Sequence, residues 1–134
     1  MNYIDLGLPS GTLWASANLS MEDVSFENKL PKVTKFEIPT MKQWLELKKE
    51  CEWKWNNNGY YIVGKNGNQI FLNKSAENDK VTSYWGIVDN ENETTCPYGI
   101  RCHFKSSYPG CKVAFSPILG PEVNGLLLRP VCKN

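Results

Sequence analysis

His103 is the only imidazole in this 134-residue chain, and it lies in Arg101-Cys102-His103-Phe104, a stretch that reads as a strand with alternating faces. Acid–base or nucleophilic chemistry needs a base, a nucleophile or a metal held together, and a lone histidine is more often a surface or satisfied residue. Five cysteines stand at Cys51, Cys96, Cys102, Cys111 and Cys132. An odd number cannot close entirely into intramolecular disulfides. Their spacing also lacks the paired CxxC knuckles of structural zinc sites, and one histidine cannot supply a second imidazole. The simpler reading makes some of them small buried hydrophobes, with a Cys102–Cys111 bridge left open for an oxidising compartment. Asp89-Asn90-Glu91-Asn92-Glu93 is the most acidic loop. Oxygen ligands at alternate positions suit calcium, but a solvated loop explains the same residues. The expectation is therefore no catalytic residues, no metal and no cofactor.

The elements that must position these residues follow from composition and pattern. Hydrophobic residues make up 41% and charged residues 22%, a balance too apolar for disorder. A formal net charge of +1 lacks the broad positive field of non-specific nucleic-acid binding. No apolar run approaches the roughly 20 residues that span a bilayer, and Met1-Asn2-Tyr3-Ile4-Asp5-Leu6-Gly7 does not read as a signal peptide. Export by another route, removal of an upstream part, and a protein that does not cross a membrane by itself all remain open. The length fits one domain over residues 1–134.

Tyr3 to Leu6 and Thr12 to Ala15 read as short strands around the turn Gly7-Leu8-Pro9-Ser10-Gly11. Residues 18–37 read as polar and irregular, and Pro31 discourages a long element there. One helix is expected, capped by Thr40 with Gln43 three residues on. Met41, Trp44, Leu45, Leu47 and Cys51 form its apolar stripe, with Lys42, Glu46, Lys49 and Glu50 toward water. Asn56-Asn57-Asn58-Gly59 ends that region. Tyr60 to Val63 and Gln69 to Leu72 then flank an Asn-Gly hairpin tip. Further strands are expected at Ser83 to Val88, Ile100 to Ser106, Lys112 to Ser116 and Gly125 to Val131. One helix with about seven short strands makes an α+β domain with much loop.

Tyr3-Ile-Asp-Leu-Gly-Leu-Pro-Ser-Gly-Thr-Leu-Trp-Ala15 resembles the opening signature of the Fibrobacter succinogenes major paralogous domain, common in Bacteroidetes proteins. The resemblance continues through Ile38-Pro39-Thr40 before a Trp-bearing helix and through Cys51-Glu52-Trp53-Lys54-Trp55. It then passes Gly59-Tyr60, Gly67-Asn68-Gln69-Ile70-Phe71-Leu72 and Tyr84-Trp85, and closes at Leu128-Arg129-Pro130-Val131-Cys132. These blocks keep the family's order over about half the chain. They imply a C-type lectin-like fold, a fold shared with formylglycine-generating enzymes and with variable receptor-binding proteins of some phages. The chain departs from the family in residues 19–37, at Trp85-Gly86-Ile87 and at Gly125 to Leu128, segments of the family's exposed face, so the resemblance implies a fold and not a ligand. Cys102 and Cys111 match no motif of the oxidative metal site, and the acidic loop lacks the Glu-Pro-Asn and Trp-Asn-Asp pairs of sugar-binding calcium sites.

The implied fold pairs the N-terminal strand with Leu126 to Val131, bringing the termini together with the helix packed on the sheet. Trp14, Trp44 and Trp85 are then core residues, and Arg129 pairs with a buried carboxylate or loop carbonyls, Asp5 being the first partner to test. Loops between the later strands, from about Tyr84 to Val123, form the exposed recognition face. Its candidate ligand-binding residues are Asn90, Glu91, Tyr98, His103 and Tyr108, with Tyr108 in the exposed turn Ser106-Ser107-Tyr108-Pro109-Gly110. The function expected is non-catalytic recognition of a glycan or protein outside the cell, as a phage fibre or receptor-binding component or a bacterial surface domain. The alternative is a virion decoration or cell-surface scaffold without sugar binding. Neither reading involves nucleic acid or membrane insertion, and a homo-oligomer is left open.

Overall fold

The computed structural model describes residues 1–20, 22, 24–27, 30–33, 35–56, 58–74, 81–88, 96–103, 114–118 and 127–133. These residues form a mixed α+β structure. The order is β1 (Tyr3–Asp5), β2 (Thr12–Ala15), β3 (Ser25–Glu27), β4 (Leu30–Lys32), α1 (Met41–Glu50), β5 (Glu52–Asn56), β6 (Gly59–Val63) and β7 (Gln69–Asn73), followed by β8 (Val81–Val88), β9 (Cys96–His103), β10 (Ala114–Ile118) and β11 (Val131–Lys133). The strands are arranged as β1-β2-β11, β3-β4, β5-β6-β7 and β10-β9-β8, and every pair of neighbours is antiparallel.

Local chemistry accounts for the helix. The Thr40 hydroxyl accepts the Gln43 amide at 3.2 Å, and the Gln43 side-chain oxygen accepts the Thr40 amide at 2.8 Å. Two donors that a helix start leaves unpaired are thereby satisfied. Trp44 and Leu47 are buried, as the stripe requires, but Leu45 is 48% exposed. It lies one position from Trp44, about 100° around the helix, and so falls off the core-facing side. Glu46 is also not simply solvated: its carboxylate accepts the Ser10 hydroxyl at 2.6 Å and the Ser10 amide at 3.1 Å, tying the first turn to the helix.

Four further expectations change. Residues 18–37 contain the β3–β4 hairpin, and Leu19, Val24, Val33 and Phe36 join Trp85, Leu128 and Ile38 in a second apolar cluster. A fifth strand follows the helix at once, because Glu52-Trp53-Lys54-Trp55 alternates polar and apolar residues. The later strands shift along the chain: β9 spans Cys96–His103 rather than Ile100 to Ser106, and β10 spans Ala114–Ile118. The terminal strands do not pair with each other. Both flank β2, with Ile4 and Val131 each opposite Trp14 in register.

The main core gathers Leu6, Leu8, Trp14, Trp44, Leu47, Tyr60, Ile62, Ile70, Leu72, Tyr84 and Val131. Trp14 and Trp44 meet edge to face, centroids 4.8 Å apart, and Tyr84 lies 5.5 Å from Trp44. Trp14, Trp44 and Trp85 are all buried core residues. A side chain at Gly64 would collide with the backbone of Leu6, so only glycine lets the β6–β7 turn approach the end of β1 this closely.

Candidate functional site

The segment from Leu127 to Val131 is the seam on which the fold closes. The Leu127 carbonyl accepts the Trp85 amide, that of Leu128 accepts the Leu19 amide, and that of Pro130 accepts the Ala15 amide, all at 2.8–3.0 Å. The Val131 amide in turn donates to the Glu37 carbonyl at 3.1 Å. Tyr84 and Leu127 form the parallel bridge beside these contacts.

Arg129 sits at the centre of this seam, only 1% exposed. Its Nε donates to Asn18 Oδ1 at 2.8 Å and its Nη1 to the Ala15 carbonyl at 3.0 Å. Its Nη2 donates to the Phe71 carbonyl at 2.5 Å, with Asn73 Oδ1 at 3.5 Å. The Tyr84 hydroxyl donates to the same Asn18 oxygen at 2.9 Å and accepts the Asn73 amide at 3.1 Å. No carboxylate among the described residues lies within ion-pair distance of Arg129. Asp5 is not its partner, since that side chain takes the Gly7 amide at 2.8 Å in a local Asx-type turn. Burial pushes the guanidinium below its ordinary value, partly offset by Tyr84. A buried guanidinium keeps its charge only where fixed dipoles replace water, and four oxygen atoms do that here. Arg129 joins β2, β7 and the closing segment, which makes it an internal tie.

Two of the sequence-derived candidates are placed by the structure, and they stand apart. Tyr98 and His103 both belong to β9, opposite Gly86 and Val81 of β8. Five residues of strand put their backbones about 17 Å apart. Asn90, Glu91 and Tyr108 lie outside the described residues, but the strand ends that bracket them are defined. The chain leaves β8 at Val88 and re-enters at Cys96, next to Tyr98. It leaves β9 at His103 and re-enters at Ala114, at the opposite end of the same strand.

Cysteine chemistry is subdued where it is described. Cys51 is half-buried and free, and burial, with the Glu50 and Glu46 charges, pushes its thiol up to about 11. It stays protonated at neutral pH and is a poor nucleophile. Cys132 is also free, its thiol raised by burial and by Glu37. Of the Cys102–Cys111 pair, Cys102 lies on β9 opposite Phe115, and Cys111 lies outside the described residues. No group of three or more His, Cys, Asp or Glu side chains placed to hold a metal occurs among the described residues.

One surface went unnoticed in the sequence. On the outer face of β5-β6-β7, Tyr61 stands directly opposite Phe71, with ring centroids 4.8 Å apart and planes inclined by 49°. Tyr61 is 39% exposed. The two rings border a shallow groove of about 230 Å³ completed by Ile4, Ser16, Gln69 and Ile70. The signal was present: the Asn66-Gly67 turn fixes the hairpin register, and that register puts both aromatics at outward positions.

No helix among the described residues is long and apolar enough to cross a membrane. Comparison with protein-family models, with curated proteins and with solved structures gives no match.

Proposed function

We propose that the protein is a non-catalytic recognition module of C-type lectin-like type, related to the Fibrobacter succinogenes major paralogous domain. It binds a glycan or a protein outside the cell, as a phage fibre or receptor-binding component or as a bacterial surface domain. The observation that carries the reading is the meeting of the resembling blocks around Arg129. The opening block supplies β1 and β2, and the closing block supplies Arg129 and β11. The central block supplies the Phe71 carbonyl, and the Tyr84-Trp85 block supplies the Tyr84 hydroxyl and the Trp85 amide. Segments that resemble the family thus build the scaffold, and on this reading recognition belongs to the connections between the later strands. Loops on a rigid scaffold are where binding residues accumulate.

The test is a glycan array with the purified protein, read beside its mass in solution. Specific glycan signal supports the recognition reading. A stable oligomer with no sugar signal favours the decoration or scaffold alternative. Because Tyr98 and His103 stand apart along β9, the candidates are substituted in two groups, each with its neighbours in sequence. Asn90→Ala, Glu91→Ala and Tyr98→Ala together test one end, and His103→Ala with Tyr108→Ala tests the other. Loss of binding in one group with an unchanged unfolding midpoint assigns that end. Binding that survives both groups overturns the loop assignment.

A further inference from the structure

We propose that the groove beside Tyr61 and Phe71 is a site for one uncharged sugar residue, an inference that rests on the recognition reading but places the contact on the sheet rather than on the later loops. The groove combines an aromatic wall from Tyr61 and Phe71, aliphatic surface from Ile4, and two neutral hydrogen-bonding side chains, Ser16 and Gln69, with the strand at Ile70, whose side chain is turned into the core, forming part of its floor. A pyranose ring is two-sided in the same manner. Its C–H face lies flat on an aromatic surface, and its hydroxyl rim takes bonds from an amide and a hydroxyl.

Three features choose this occupant. None of the six lining residues carries a charge, and Lys54, in register with Tyr61, lies across β6 from Phe71, so a phosphate, carboxylate or ammonium would lose hydration with no opposite charge among the lining residues to replace it. The volume, about 230 Å³, falls below the roughly 300 Å³ at which sites for drug-sized ligands begin, and suits a single ring. An extended peptide would dock by adding a strand, which requires free main-chain groups along an edge. Here the Phe71 carbonyl of β7 is taken by Arg129, and the Asp5 carbonyl of β1 is taken by the Asn66 and Asn68 amides at 2.8 and 2.9 Å. The Asn73 amide is likewise taken by Tyr84. Three main-chain groups on the strand edges beside the groove are thus already held by side chains, which interrupts the ladder that an added strand would need.

The experiment is a titration of the ¹⁵N-labelled full chain with cellotriose, maltotriose, mannotriose and triacetylchitotriose, and separately with sialyllactose and a valine-rich peptide. The expected result is that at least one neutral trisaccharide shifts the amides of Ser16, Tyr61, Gln69 and Phe71. Tyr61→Ala should weaken that binding at least about tenfold, while Tyr61→Trp retains it and both variants keep the wild-type amide pattern elsewhere. Shifts at these amides from sialyllactose or the peptide alone would overturn the proposal, as would no shift from any neutral sugar. Array binding that persists in Tyr61→Ala but disappears with the loop substitutions would also overturn it, while leaving the recognition reading intact.

Discussion

Tyr60 and Tyr61 are neighbours on one strand, yet the first is 1% exposed and the second 39%. Tyr60 faces inward, its ring 5.3 Å from that of Trp53 and 5.4 Å from that of Trp55, both edge to face. Ile62, Ile70 and Leu72 complete this face against the helix and Trp14. Tyr61 faces outward, between Lys54 and Phe71 in register. The contrast teaches that strand parity, rather than residue type, decides which aromatic builds the core and which is offered to solvent. A slip of one residue would exchange the two faces. The largest expected effect therefore comes from Tyr60→Ala, which should cost about 3–5 kcal/mol in denaturant unfolding. A cost below about 1 kcal/mol would break the comparison, because it would mean that the inner face is not closely packed.

Arg129 sharpens the same contrast from the edge of the sheet. It holds the Phe71 carbonyl from the core side while the Phe71 ring lies on the outer face. Arg129→Met keeps much of the volume but strands the Ala15 and Phe71 carbonyls, while Asn18 Oδ1 keeps the Tyr84 hydroxyl. A loss of about 2–3 kcal/mol is expected from those unsatisfied groups, measured as the shift in urea midpoint at constant slope. Because the tie ends at β7, hydrogen-exchange protection should fall first at Phe71 and Asn73, before the Tyr60 and Ile62 amides. Uniform loss across the sheet would show that Arg129 acts on global stability alone.

What could be read from the sequence divides by distance along the chain. The helix and its cap were legible, because Thr40 and Gln43 are three residues apart and the cap is made between them. The β6–β7 hairpin was legible for the same reason, its register being set by one turn. The fate of Arg129 was legible only as a class of partner. Asp5 was the acid at hand in the opening block, but its carboxylate is captured two residues away by Gly7, and nothing local announces that Asn18 and Phe71 will converge on the guanidinium. The strand β5 was missed because Trp53 and Trp55 follow the helix with no intervening turn. The small cluster around Trp85 was missed because Leu19, Val24, Val33 and Phe36 are spaced too widely to show a period. For the candidate recognition residues, the sequence supplied the order along the chain but not the strand ends, so the separation of Tyr98 from His103 appeared only with the register of β9.

The helix that covers the inner face offers a smaller test. Thr40→Ala removes the acceptor for the Gln43 amide and should cost about 1 kcal/mol, whereas Thr40→Ser should restore nearly all of it. The comparison with Tyr60 is informative because both act on the same cluster: Trp44 and Leu47 of the helix pack with Tyr60 and Ile62. If the inner face is held by packing rather than by the helix start, the cap variant will lower the melting temperature without changing near-ultraviolet dichroism of the tryptophans. A change in that signal would show that the cap sets how the helix lies on the sheet.

The smallest effect belongs to Tyr61→Ala. Its ring lies on the outer face and leaves its core-facing neighbours untouched, so the loss is confined to its tilted contact with Phe71 and to β propensity. Such a cross-strand pair contributes about 0.2–1 kcal/mol, and the exposure of Tyr61 puts the expected change near the lower end. A double-mutant cycle with Phe71→Ala isolates that pair energy. A single-variant cost within about 0.5 kcal/mol, beside the large cost at Tyr60, would establish that an aromatic is kept at Tyr61 for reasons other than stability. A cost comparable to that of Tyr60 would assign both rings to the scaffold and remove the distinction between the two faces. The side chain that stabilises least is thus the one whose loss says most about binding, because a defect in recognition by this variant could not be blamed on unfolding.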